Sequence, residues 1–170
     1  MSDLTFKMDN GYFTYKAGAI IIHENSVLMV KNENFPYFYT VGGRVNFGET
    51  SHDAVIREVL EETGVAMEID RLAFIYENFF TASVFSATNG KFHEVGFYYL
   101  MKTCDKIKDI KCTSMGDDGG AETLHWLPIA ELESYDLFPE FYKTQLLNIK
   151  DETVHFITRD GRTYRWQEGN

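Results

Sequence analysis

Apolar positions along this chain switch between a strand period and a helix period. Residues 14–31, TYKAGAIIIHENSVLMVK, read as two strands. An apolar run rich in β-branched residues meets a polar turn at His23-Glu24-Asn25-Ser26, followed by Val27, Leu28, Met29 and Val30. Residues 32–36 read as a loop, and Tyr37 to Val41 as a short aromatic strand ending at Gly42-Gly43. Between Thr50 and Gly64 the spacing becomes helical: Val55, Val59 and Leu60, with Ala54 and Ile56 beside them, form one apolar stripe. Thr50 suits the N-cap, Asp53 three residues on is a capping-box acid, and Gly64 suits the position after the last turn. Residues 66–79 and 92–102 read as longer strands, and residues 113–121, TSMGDDGGA, as a loop. A short strand, Thr123 to Leu127, leads through Pro128 into a helix near Ile129 to Glu133, and another helix is predicted over Pro139 to Ile149. The stretch VHFITRDGRTYRW reads as a hairpin turning at Asp160-Gly161. Short strands mixed with two or three helices predict an α+β or α/β sandwich. No repeat or linker interrupts residues 1–170, so a single domain is expected.

Composition narrows the partners. The net charge of −10 makes the protein a poor electrostatic match for nucleic acid or an anionic membrane. Phosphate esters still fit if a divalent metal inverts the local field. Plentiful rings, 14 Phe and 10 Tyr, can line both core and pocket walls. Cys104 and Cys112 fit no zinc spacing and make no disulfide framework, which predicts reduced thiols and a cytoplasmic location. The first ten residues, MSDLTFKMDN, lack a secretory pattern, and the apolar run Ala17 to Ile22 is far too short to span a membrane.

The candidate chemistry sits on the first helix. Glu58, Glu61 and Glu62 occupy relative positions 0, 3 and 4, so they share a face where like charges repel by a few tenths of a kcal/mol per pair. The helix has one arginine, Arg57, and no lysine, so compensating positive charge is expected from outside it. Clustered carboxylates of this kind suit Mg²⁺ or Mn²⁺, which can polarise a diphosphate and activate water. Gly42-Gly43 lets backbone approach a metal or phosphate closely.

Gly43, five residues, Glu49, seven residues, then Arg57-Glu58-Val59-Leu60-Glu61-Glu62-Thr63-Gly64-Val65 resembles a complete Nudix box. The resemblance implies an α/β/α sandwich with a mixed sheet and a catalytic loop–helix. It implies hydrolysis of a nucleoside diphosphate linked to another moiety, with Glu58, Glu61 and Glu62 as metal ligands. A carbonyl of Gly42 or Gly43 would add a ligand, while Glu49 and Arg57 would orient loop and helix. Val41 stands where family members often carry proline, which removes no functional group. For the general base the family offers either a box glutamate such as Glu62 or Glu61, or a glutamate of a distant loop. Glu122, before Trp126 and Pro128, ranks first outside the box, ahead of Glu94 and His93. Arg44, Phe35, Tyr37 and Tyr39 form the candidate substrate-binding set; alternation sends Tyr37 and Tyr39 to one sheet face and Phe38 to the other.

Plainer roles are expected for other residues. His23, His125 and His155 read as structural, and His52 as exposed in the helix's first turn. Gly116, Asp117, Asp118, Gly119 and Gly120 suit either a flap or an ordinary surface loop. The competing function is a Nudix-fold sensor that binds its ligand without hydrolysis. The intact box and the small, weakly basic segment 140–170 argue against it, and the −10 charge argues against RNA decapping. Phe80, Thr81, Ala82 and Ser83 stand where the family's ADP-ribose and dinucleoside polyphosphate hydrolases carry marker Pro and Tyr residues. Neither marker is present. A small nucleotide substrate of the nucleoside triphosphate or nucleotide sugar class is expected, without a named identity, and a homodimer is compatible with the family.

Overall fold

Alternating apolar positions form the long strands because each must bury one side chain in two on each side of a sheet. The computed structural model describes residues 2–82, 90–110, 114–115 and 119–165. In chain order the elements are β1 (Thr5–Met8), β2 (Gly11–Ile20), β3 (Ile22–His23), β4 (Ser26–Asn32), β5 (Phe38–Arg44) and α1 (Ser51–Thr63). They continue with β6 (Ile69–Ala82), β7 (Gly90–Met101), β8 (Ser114–Met115), β9 (Ala121–Pro128), β10 (Leu137–Phe138), α2 (Tyr142–Gln145), β11 (Val154–Arg159) and β12 (Arg162–Arg165). Single 3₁₀ segments cover Asp105–Asp109 and Ile129–Ser134.

The strands join in the order β12-β11-β6-β7-β2-β5-β4-β9-β8, with β1 on β2, β3 on β4 and β10 on β5. The sheet is mixed: β2 runs parallel to β7, β6 to β11 and β5 to β10, whereas the other pairs are antiparallel. Side chains alternate between two cores. Val41, Val30, Ala17 and Ala19 pack with Ala54, Val55 and Val59 of α1 on one face. Ile20, Phe74 and Tyr98 pack with Leu132, Phe141, Tyr142 and Leu146 on the other. The expected α/β/α layering is thus present, with the second outer layer built from short turns.

The predicted caps of α1 are met. Asp53 N–H donates to Thr50 Oγ1 at 3.1 Å, and the Thr50 hydroxyl donates to the Asp53 carboxylate at 2.7 Å. Gly64 takes the left-handed conformation (φ 71°) and its N–H returns to the Leu60 carbonyl. Two predicted helices are smaller than expected. The 129–133 segment is a 3₁₀ helix, and only Tyr142–Gln145 of 139–149 is α-helical. There Lys143 N–H bonds Glu140 O while Leu146 N–H bonds Tyr142 O, mixing three- and four-residue steps. Burial of Phe141, Tyr142 and Leu146 against the sheet sets this path, overriding helical continuation. The hairpin is as predicted, with positive φ at Asp160 and Gly161.

Strand β5 runs farther than the sequence suggested, through both glycines to Arg44, pairing Gly18 with Gly42 and Lys16 with Arg44. Gly42 has φ 132°, and a Cβ there would lie 2.3 Å from the Ala17 carbonyl oxygen. This close approach lets β5 deliver its glycines beneath α1. Among the described residues no helix is long and apolar enough to cross a membrane.

Candidate active site

The first core leaves one face of α1 turned toward β5, and the acidic residues stand at that boundary. Arg57 organises most of them. Its Nε and Nη2 donate to both oxygens of Glu49 at 2.8 and 2.9 Å, and Nη1 donates to Glu58 at 2.6 Å and Glu61 at 3.2 Å. Nη2 also reaches the Arg44 carbonyl at 3.2 Å. Glu49 accepts a further bond from Asn46 N–H at 3.0 Å, closing the loop onto the helix. The guanidinium beside Glu49 holds its carboxyl below the usual carboxylate range. Arg57, the helix's one cation, bridges three carboxylates, as its planar fork permits, but does not reach Glu62.

Glu58 and Glu62 are left in a different state. Glu58 lies flat against Gly43, where a Cβ would meet its Oε1 at 2.5 Å. Burial, only partly offset by Arg57, raises its carboxyl. Glu62 accepts the Gly42 N–H at 3.3 Å through Oε1, while its buried Oε2 has no hydrogen-bond partner. Burial first, then the nearby charges of Glu58 and Glu122, push Glu62 up to about 8. Glu61, by contrast, is largely exposed.

Glu122 comes from β9, across β4. Register pairs Asn32 with Glu122, and the Tyr39 hydroxyl of β5 donates a short hydrogen bond to the Glu122 carboxylate. Glu122, Leu124 and Trp126 alternate onto the same face as α1, so Glu122 joins Glu58 and Glu62. Glu94 instead lies near Tyr76 and Tyr98 of the opposite core. His93 stacks on Phe79 at 4.2 Å, beside Glu77.

The substrate-binding candidates separate. Arg44 pairs with Asp3 at 2.9 Å. Tyr37 precedes β5 and packs between Phe35, stacked at 5.5 Å, and Phe138, edge-on at 5.0 Å. Tyr39 faces the α1 core and Phe38 the other, as alternation predicts. Among the flap residues Gly116, Asp117 and Asp118 lie outside the described residues, as do Cys112 and Ser83. Sequence reasoning missed Asn32, a buried polar side chain that bonds both Asn34 N–H and the Tyr39 hydroxyl. A polar residue closing an apolar strand before the asparagine-rich turn 32–34 was the available signal.

Among the described residues no three Asp, Glu, His or Cys side chains are gathered as a ligand set, and Glu58 is turned onto Arg57. The donors nonetheless fit a hard divalent cation. The partnerless Glu62 Oε2 is a buried oxygen that gains from any cation, and Glu58 and Glu122 add negative field around it.

Comparison with known proteins agrees with this geometry. An ADP-ribose pyrophosphatase of Methanocaldococcus jannaschii is 39% identical over 62 residues, which are 35% of this chain and 37% of that protein. Nudix hydrolase 2 of Arabidopsis thaliana is 41% identical over 61 residues, 32% of this chain and 22% of its own. The chain thus spans well under half the length of these relatives. The fold resembles that of a mutator MutT protein from Bacillus halodurans, with TM-score 0.59 and 17% identity over 88% of this chain and 94% of that one. The NUDIX domain profile matches residues 13–147, most of the chain, and with the box folded onto α1 and β5 the protein belongs to the Nudix family.

Proposed function

We propose that this protein is a Mg²⁺- or Mn²⁺-dependent pyrophosphohydrolase that cleaves a nucleoside diphosphate linked to another moiety. The observation that carries the reading is the buried, partnerless Glu62 oxygen beside Glu58 and Glu122, above the Gly42-Gly43 backbone. A site built for stability alone would pair that oxygen, since an unsatisfied buried acceptor costs about 1–3 kcal/mol. In this reading Glu58 and Glu62 hold the ion, with Glu61 and a Gly42 or Gly43 carbonyl completing the set. When bound, the ion neutralises the diphosphate and activates water for attack on phosphorus.

The chain's own residues supply orientation and proton transfer. Arg57 and Glu49 lock the loop to the helix, fixing where the glutamates point. Glu122 accepts the proton of the attacking water. Arg44, Phe35, Tyr37 and Tyr39 are the candidates for holding the nucleotide. The M. jannaschii relative's name places ADP-ribose among the compounds to test, alongside nucleoside triphosphates and nucleotide sugars. The two cysteines, read as reduced thiols, favour a cytoplasmic setting.

The test is a Mg²⁺-dependent hydrolysis screen over those classes, with products identified and Glu62→Gln in parallel. Release of a nucleoside monophosphate that vanishes in the variant establishes the enzyme and its substrate class. Ligand-induced thermal stabilisation without turnover assigns a sensor instead.

A further inference from the structure

The Tyr39 hydroxyl and the Glu122 carboxylate meet although they lie 83 residues apart and β4 runs between their strands. Tyr39 pairs with Val30 of β4, and Val30 pairs with Leu124 of β9, so the tyrosine side chain must cross β4 diagonally to reach Glu122. On the way its hydroxyl is bonded by Asn32, which is only 1% exposed and is itself fixed by Asn34 N–H at 2.8 Å. Asn32, Tyr39 and Glu122 thus form a chain of hydrogen bonds ending on the carboxylate, and such chains polarise each link.

The phenol is a dependable donor. Burial, then the Glu122 hydrogen bond and the charges of Glu122 and Glu62, hold its ionisation far above the ordinary tyrosine range. It keeps its proton at any working pH and can only donate to Glu122. A bond of this charge-assisted kind fixes the orientation of the carboxylate it reaches. The sequence placed Tyr39 among rings that could stack on a nucleobase, whereas its hydroxyl is committed to Glu122.

We propose that Tyr39 is a positioning residue that holds Glu122 beside the acidic face of α1, with Asn32 anchoring the phenol. The proposal rests on the reading of Glu122 as general base.

A double-mutant cycle on turnover tests it, with Tyr39→Phe, Glu122→Gln and the pair in the full chain. Tyr39→Phe should lower kcat by about 10- to 100-fold with KM almost unchanged, as misplacement of a catalytic group does. In the Glu122→Gln background the same change should cost nothing more, since coupled residues are non-additive. Equal losses in both backgrounds would mean a merely structural tyrosine and overturn the proposal. So would full activity in Tyr39→Phe, which keeps a stacking ring, together with a raised KM in Tyr39→Leu.

A second readout needs no turnover. In metal-free protein the bonded Tyr39 hydroxyl proton should give a downfield NMR signal, absent in Tyr39→Phe and shifted upfield in Glu122→Gln. A signal insensitive to Glu122→Gln overturns the pairing even if the enzyme is active. A wild-type protein that hydrolyses none of the compounds overturns the hydrolase reading and the catalytic consequence, while the proton signal still decides the pairing.

Discussion

Gly43 and Glu58 are in contact through the missing side chain of the glycine: a Cβ there would lie 2.5 Å from Glu58 Oε1 and 2.6 Å from its Cδ. The atoms in the way are the far end of a flexible side chain, so Gly43→Ala can be relieved by rotating Glu58 outward. The fold should survive with Tm lowered by no more than about 2–4 °C, a loss near 1 kcal/mol. Activity should not, if Glu58 holds the ion as proposed, because misplacing a catalytic group by about 1 Å costs on the order of 100-fold in rate. Thermal melts and steady-state kinetics on the same preparation check both halves.

Arg57 is the next position to test. Removing it as Arg57→Met leaves Glu49 and Glu58, each 15% exposed, without their shared cation. Breaking a buried pair costs about 3–5 kcal/mol, and partial solvent access here brings the expectation to about 2–3 kcal/mol. Arg57→Lys should recover little, since an ammonium cannot reproduce a fork that meets Glu49 with two nitrogens. The pH dependence has a definite sign. Glu49 is depressed by Arg57, so its contribution is present above the ordinary carboxylate range and is lost as pH falls through its lowered value. Urea melts between about pH 5 and pH 3 should show that acid limb in the wild type and lack it in Arg57→Met.

Glu62 works in the opposite direction. Its folded carboxyl is raised from 4.5 to about 8, so the native state holds a proton that the unfolded chain has released. Metal-free protein should therefore lose stability as pH rises from about 4.5 to about 8. Glu62→Gln keeps the shape without the charge and should gain about 1–3 kcal/mol at pH 8 in the presence of a chelator. Added Mg²⁺ should stabilise the wild type by mass action and leave the variant unmoved. A Glu62→Gln protein less stable than wild type at pH 8 would show that the carboxylate is not the strained group.

The opposite core offers a purely structural asymmetry. The Thr40 hydroxyl donates to Ala19 O at 3.1 Å and so accepts from the Tyr142 hydroxyl, 2.9 Å away and fully buried. Tyr142→Phe removes one donor and leaves Thr40 still bonded, a cost of about 1 kcal/mol. Thr40→Val strands the phenol in an apolar layer and should cost about 2–3 kcal/mol. Equal losses from equilibrium unfolding would reject this direction of donation.

What could be read in advance follows the range of each interaction. Helix α1 was legible at both ends because Thr50, Asp53 and Gly64 act within one turn of their own backbone, and its buried stripe repeats at the helical period. The hairpin at Asp160-Gly161 was legible for the same reason. The acidic face was visible as spacing, yet the fivefold grip of Arg57 was not, because side-chain rotamers decide which carboxylates a single guanidinium can span. The segment 139–149 was over-read as helix, since its aromatic residues obey the sheet they pack on rather than helical propensity. Tyr39 and Glu122 were each picked out, but in unrelated roles. Their meeting depends on the register of two strand pairs through β4, which no local pattern encodes.

The crossing of β4 also divides the site in time. Glu49, Arg57, Glu58, Glu61 and Glu62 belong to one loop and the helix that follows it, so a ribosome releases them together. Glu122 emerges much later, its partner Tyr39 having waited 83 residues for it. At common synthesis rates of about 5–20 residues per second, that interval lasts several seconds. The acidic helix is therefore made first, and Glu122, the proposed proton acceptor, joins it only when β9 pairs with β4. Turnover by growing chains should appear late and abruptly, at the length where that last pairing clears the exit tunnel.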